Sequence, residues 1–274
     1  MQIITIYQGA SGSGEELADA VAQSLGYGSV DREVLVQASL QYSIPEAKLA
    51  EIVEREPTWW ATFTRNLDPY RIALQAAFCE VARDRGIVYH GHLGHELIPK
   101  FAHVLKVLLT APMEMRIAQV RERHNHLNEV AARRYVEELD KARTRRLHGM
   151  FGTDWRDPSR YDLVVNLGHM GLSTAQRLIV EAAHAPDYQM TAASKQEFAN
   201  FALATRIRAT LALSNDLSHA RIEVKADDGN IELSGTIPEW ISDRQVVAQI
   251  QKIPGVKNVN ADLTTLLTNL ELTS

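Results

Sequence analysis

The stretch Gly9-Ala10-Ser11-Gly12-Ser13-Gly14 puts three glycines and two hydroxyls between an apolar run and a helical one. A loop of this kind can hold phosphate. Glycine removes the Cβ that would block converging backbone N–H groups, and the N-terminus of the following helix adds positive potential. Gly9 and Gly14 keep the spacing of the outer glycines in G-x-x-x-x-G-K-[ST]. Gly9, Ser11, Gly12, Ser13 and Gly14 are therefore candidate phosphate-binding residues. The pattern breaks where its chemistry is concentrated. Glu15 stands where a lysine would reach the β- and γ-phosphates, and Glu16 where a hydroxyl would hold Mg²⁺. Acidic residues also suit any first helical turn through the helix dipole, so plain capping is the competing reading.

A second group of chemical interest is basic. From Glu129 to His148 the chain has helical periodicity and carries Arg133, Arg134, Lys141, Arg143, Arg145 and Arg146. Arg133, Asp140 and Arg143 are spaced by seven and three, which places them on one helical face. Such a run is either a solvated charged face or a lid that brings guanidinium groups onto phosphates, which arginine grips bidentately. A third group is His90-x-His92 with His95 and Glu96. A turn could bring these histidines onto one metal with Glu15 or Glu16, but unsupported histidine pairs are more often structural, and no metal ligand is assigned.

These groups need a scaffold. Ile3–Tyr7, Ile87–Tyr89, Val104–Leu109 and Leu163–Leu167 read as buried strands, and helical patterns separate them at 15–25, 34–40, 45–66, 70–85, 112–120, 129–148 and 173–183. The aromatic group Trp59, Trp60 and Phe63 reads as packing. Strands alternating with helices predict an α/β fold, a mainly parallel sheet covered by helices on both faces. Ligands in such sheets sit beyond the carboxyl ends of the strands, so the glycine loop, Asp31, the His90–His95 turn and Thr110 are expected on one rim. Residues 184–197 read as a linker. After it come a helix at 198–213, two strands joined at Asp228-Gly229, a helix at 241–252 and a strand Val256–Leu263, a small α+β unit over 198–274.

Composition narrows the class. At 274 residues, 45% hydrophobic and 23% charged, the chain can bury a full core. The net charge of −5 argues against a nucleic-acid partner. The single cysteine, Cys79, excludes an internal disulfide. No signal-like or bilayer-length apolar run is present, and a cytoplasmic protein is expected.

Order and spacing carry a resemblance that single motifs do not. The glycine loop is followed by Leu25-Gly26-Tyr27, Asp31-Arg32-Glu33 and the run Leu105 to Arg123 with Ala111-Pro112. Asp140-Lys141-Ala142-Arg143, Gly152-Thr153-Asp154-Trp155 and Tyr161-Asp162-Leu163-Val164-Val165-Asn166 come after it. In this series residues 1–183 resemble the cytidylate kinase-like family of P-loop nucleotide kinases. Residues 202–268 resemble a BON domain through Val224, Asp228 to Gly235 and Pro254 to Val259.

The first resemblance implies a P-loop domain that transfers phosphate from ATP, with Mg²⁺, to a nucleoside monophosphate such as CMP. It gives Gly12, Ser13 and Gly14 to the donor phosphates, Asp140, Arg143 and Arg146 to catalysis, and Asp31, Arg32, His92, Arg133 and Arg134 to the substrate or its lid. The second implies a unit, over 198–274, that binds lipid or a protein partner or mediates self-association into a homo-oligomer. The chain departs from the kinase pattern three times. Glu15 replaces a basic residue, Tyr7-Gln8 replaces an arginine after the first strand, and Gly91-His92 replaces Gly-Arg. Each change removes a cation from a phosphate site, where one electrostatic donor is worth roughly 2–4 kcal/mol of barrier. A non-catalytic nucleotide sensor or scaffold is therefore the alternative.

Overall fold

The computed structural model describes residues 2–8, 13–54, 68–91, 93–217 and 220–266. Trp59, Trp60, Phe63, His92, Gly9, Ser11 and Gly12 lie outside them, as does the second half of the helix expected at 45–66. Five parallel strands form the first sheet: β1 (Ile3–Gln8), β2 (Gly28–Val30), β3 (Ile87–His90), β4 (Val104–Thr110) and β5 (Leu163–Asn166). Their order is β2-β3-β1-β4-β5. The β-branched residues that predicted β1 are buried on both faces, which is why the run is continuous rather than alternating. β2 was not visible as a strand in the sequence. It is three residues long with two small ones, and only pairing with β3 makes it a strand.

Helices cover both faces. On one lie α1 (Ser13–Leu25) and α8 (Leu172–His184), packed through Leu17, Val21, Ala175 and Ile179 onto Ile4, Ile6 and Val107. On the other lie α2 (Glu33–Tyr42), α3 (Glu46–Glu54), α4 (Asp68–Val81) and the one-turn α5 (Gly94–Leu97), packed onto Ile3, Tyr7, Tyr89 and Leu108. Between β4 and β5 the chain leaves the sheet as a helical pair, α6 (Met113–Arg123) and α7 (Glu129–Phe151). This pair has its own small core of Ile117, Val120, Ala132 and Val136. Asn128 caps α7 by accepting from the Ala131 N–H at 2.9 Å. Gly152 ends it at φ 69°, a left-handed stop that glycine adopts without strain. Between those stops α7 runs roughly 34 Å at 1.5 Å per residue. That length carries its last turns, Leu147 and Met150, back into the main core.

The segment expected as a linker has secondary structure of its own. Pro186–Tyr188 forms a 3-10 turn, and α9 (Ala192–Ala212) starts six residues before the predicted 198. The reason is a reciprocal cap: Thr191 Oγ1 accepts from the Ser194 N–H and Ser194 Oγ from the Thr191 N–H, each at 3.0 Å. α9 is apolar on two sides. Phe198 and Phe201 pack with Phe101 against the first unit, while Leu203, Ile207 and Leu211 belong to the core of the second. That second unit holds β6 (Arg221–Asp227), β7 (Asn230–Pro238), α10 (Asp243–Ile250) and β8 (Asn258–Leu266) in sheet order β6-β7-β8. Asp228 (φ 43°) and Gly229 (φ 83°) make the predicted hairpin turn.

No helix among the described residues is long and apolar enough to cross a membrane. Cys79 is buried, and burial pushes its thiol up to about 12, so it is a packing residue.

Candidate nucleotide site

β1 ends at Gln8 and α1 begins at Ser13, so both ends of the glycine segment are fixed at the carboxyl edge of the sheet. Gly14 lies so close to Gln8 that a Cβ there would come within 2.3 Å of the Gln8 side-chain oxygen. Ser13 Oγ accepts from Gln119 Nε2 of α6 at 3.1 Å, which ties the helical pair to the start of α1.

The basic helix reaches this edge. Arg143 Nη1 donates to the Gln8 carbonyl at 2.9 Å. Asp140, one turn earlier, pairs with Arg116 Nη2 of α6 at 2.6 Å, and both are largely shielded from water. Arg146, one turn later, is buried. The three expected catalytic residues Asp140, Arg143 and Arg146 thus all lie close enough to Tyr7 of β1 to act on its charge. Burial pulls the Arg143 pKa down, with Tyr7 and Asp140 acting the other way. A guanidinium titrates so far above neutrality that it stays charged.

Beneath these arginines is an aromatic floor. Tyr7 lies 4.5 Å from His95 and 5.7 Å from Trp155 between ring centroids, and His95 stacks on Tyr161 at 5.1 Å. Trp155 Nε1 donates to Thr144 Oγ1 at 3.0 Å, and Tyr161 Oη to the Trp155 carbonyl at 2.8 Å. Burial raises the Tyr7 phenol to about 12, so it is neutral. A small cavity of about 180 Å³ opens beside the floor, lined by Leu108 to Ala111, Arg116, Trp155 and Arg156. It has the size for a phosphate rather than a nucleoside.

On the other side of α1 the character reverses. A cavity of about 720 Å³ lies along the edge strand β2, bordered by Glu15, Asp19, Asp31 and Glu33, by Arg32 and Arg85, and by Ser29 and His90. The expected substrate residues Asp31 and Arg32 are here. Arg32 Nη2 bonds Glu46 Oε1 at 3.1 Å, and Glu33 Oε2 accepts from the Asp31 N–H at 2.8 Å.

Other expected residues do not join either group. Arg133 pairs with Glu114 at 2.6 Å on the outside of the lid, and Arg134 is exposed. The rim expected to hold both histidines is split, because His90 borders the large cavity while His95 is buried in the aromatic floor. Among the described residues no three His, Cys, Asp or Glu gather as metal ligands. Arg116 was not singled out in the sequence, and Gln8 only as a departure from the kinase pattern. The one local sign for Arg116 is its place beside Ile117 on the buried face of α6. Its partner Asp140 lies 24 residues away and is found only in three dimensions.

A parallel sheet in the order β2-β3-β1-β4-β5, a glycine loop between β1 and α1, and arginines delivered by a helical lid define a kinase-like nucleotide-binding fold of the P-loop class. Residues 3–169 match the cytidylate kinase-like family, and the chain belongs to it. Residues 200–266 match the BON domain. The cytidylate kinase of Halobacterium salinarum is 26% identical over 67% of this chain and 90% of its own length. That of Methanopyrus kandleri is 37% identical over 28% of this chain and 38% of its own. A crystal structure of an uncharacterised protein from Eubacterium ventriosum shares the fold, with TM-score 0.51 and 18% identity over 66% of this chain and 97% of that one.

Proposed function

We propose that the first unit is an ATP-dependent phosphotransferase whose donor phosphates are held by arginines in place of the loop lysine. The observation that carries this is the bond from Arg143 to the Gln8 carbonyl, which sets a lid guanidinium at the root of the phosphate loop. The donor set fits polyphosphate: the N–H groups at the start of α1, Arg143 and Arg146 from α7, and Arg116 beside the small cavity. It also answers two of the three departures, since Arg116 and Arg143 bring positive charge to the edge where Tyr7-Gln8 and Glu15 stand in place of cations of the kinase pattern. Mg²⁺ in such sites is held chiefly by phosphate oxygens and water, so no cage of protein ligands is required of the chain. Bound ATP would supply the γ-phosphoryl group, and Mg²⁺ would neutralise charge on it.

The residues then do three things. Arg143 and Arg146 orient the phosphates. Asp140 holds Arg116 in position through their ion pair. The aromatic floor of Tyr7, Trp155 and Tyr161 keeps water from beneath the reacting group. Such catalysis is positioning and charge neutralisation. Family membership makes CMP the first acceptor to test, and makes lipid or a protein partner the first ligand class to test for the BON unit.

Calorimetric titration with ATP and Mg²⁺, followed by detection of ADP in the presence of acceptor, tests the reading. Arg143→Ala should weaken ATP binding or turnover 30-fold or more, from the roughly 2–4 kcal/mol that one such donor contributes. Full affinity and full turnover in that variant would overturn it. Binding without turnover for any acceptor would leave a nucleotide sensor.

A further inference from the structure

α9 belongs to two cores at once. Its first half carries Phe198 and Phe201, which meet Phe101 edge-on at 5.8 and 5.6 Å between ring centroids. Phe198 also meets the fully buried His103 at 5.7 Å. Its second half carries Leu203, Ile207 and Leu211 of the second core. Such a helix cannot move with one unit and leave the other unchanged, because either motion opens a gap in a close-packed core. Arg206 joins the units a second time. Its Nη2 pairs with Glu80 Oε2 in the last turn of α4, with side chains only 18% and 23% exposed. Its Nη1 donates to the Pro254 carbonyl, in the turn before β8, at 3.2 Å. One guanidinium thus grips a residue from each unit.

From Glu80 the chain leads straight to the large cavity. Val81 and Arg85 border it. The turn between α4 and β3 is fastened to the head of the edge strand, where the Gly28 N–H donates to the Gly86 carbonyl at 3.0 Å. Arg85 lies against the same Gly28, and a Cβ there would come within 3.4 Å of its guanidinium carbon. Ser29 and Asp31, next along the chain, border the cavity too. Direct contacts therefore run from the Pro254 turn through Arg206, Glu80 and the end of α4 to the cavity wall.

We propose that the second unit regulates the large cavity of the first. Its docking through α9 and Arg206 and the filling of the cavity are linked equilibria, each favouring the other. The cavity's role as an acceptor site rests on the phosphotransferase reading above; the linkage does not. The two states are the docked one of this structure and an undocked one, in which Arg206 leaves Glu80 and the end of α4 loosens. A ligand of the second unit that prefers one state changes affinity at the cavity, and by reciprocity a ligand of the cavity changes affinity at the second unit by the same factor.

Amide hydrogen exchange on the full chain tests the linkage. Arg206→Ala should speed exchange over 78–86, which holds Val81 and Arg85, tenfold or more. Glu80→Ala should do the same, and the double variant should add nothing further. Arg244→Ala, which removes an exposed cation from α10, should leave that segment unchanged. A purely local role for Arg206 would end there. Linkage predicts in addition that CMP slows exchange along 203–212 of α9, and that Arg206→Ala weakens CMP at least threefold. Unchanged exchange over 78–86 in Arg206→Ala, or bound CMP that leaves α9 unmoved, would each overturn the proposal. If neither CMP nor ATP binds, the phosphotransferase reading falls, and exchange over 78–86 in Arg206→Ala still decides the linkage. Melting curves on each variant show that faster exchange is not a lost fold.

Discussion

On one side of the β1 C-terminus, Arg116 of α6 pairs with Asp140 while Arg143 and the buried Arg146 of α7 approach Tyr7 and Gln8. On the other, four carboxylates face two arginines across the large cavity. The two sides differ in where their charges come from. The carboxylates belong to α1, the loop after β2 and the start of α2, so they are local to the first strands. The arginines come from more than a hundred residues downstream and reach the site because α7 is long enough to return to β1. The loop carries Glu15 where the phosphate-loop pattern has lysine, and among the described residues the arginines on the α7 side come from far along the chain, whereas Arg32 on the cavity side is local.

The strongest way to break the contrast is Asp140→Ala. It removes the partner of the largely shielded Arg116 and a carboxylate that acts on Arg143. Breaking a fully buried pair costs about 3–5 kcal/mol, and allowing for the part of Asp140 that reaches water leaves about 2–3 kcal/mol. Urea unfolding measures it, and an unchanged midpoint would mean that the pair holds nothing.

Glu15→Lys should erase the asymmetry from the other direction. A lysine at this position beside the loop is expected to raise ATP affinity about tenfold, roughly 1.4 kcal/mol. Titration of the variant and of the unchanged chain with ATP checks it.

A smaller effect concerns the floor under the donor side. Burial, with Lys106 and Arg160 nearby, lowers His95 from its ordinary 6.5 to about 3. The unfolded chain therefore takes up a proton near pH 6.5 that the folded chain refuses until about pH 3. Stability from this group is complete above pH 6.5 and falls as the pH drops through that window, by about 1 kcal/mol between pH 6.5 and 5.5. His103, also lowered by burial, adds in the same direction. In His95→Phe, which keeps the ring stack, the slope of stability against pH should flatten.

The smallest effect is expected from Arg133→Ala. Its pair with Glu114 is on the outside of the lid, and exposed pairs contribute little. Neither the melting temperature nor ATP affinity should change measurably. A clear loss of ATP affinity would move the donor site outward along α7.

The sequence by itself determined the α/β class, four of the five strands of the first sheet, the hairpin at Asp228-Gly229 and the basic character of α7. These follow from periodicity and turn chemistry, which act over a few residues. Spacing grouped Arg133, Asp140 and Arg143 on one face of a helix, and the family resemblance is what singled out Asp140, Arg143 and Arg146. Only the tertiary structure decided that β2 is a strand, that the reciprocal cap at Thr191 starts α9 within the expected linker, and that His90 and His95 part company. It alone paired Arg116 with Asp140 and set Arg143 on Gln8. The physical reason is the same in each case. A strand of small residues, a buried histidine and an ion pair 24 residues apart take their meaning from neighbours that the chain supplies only after it has folded.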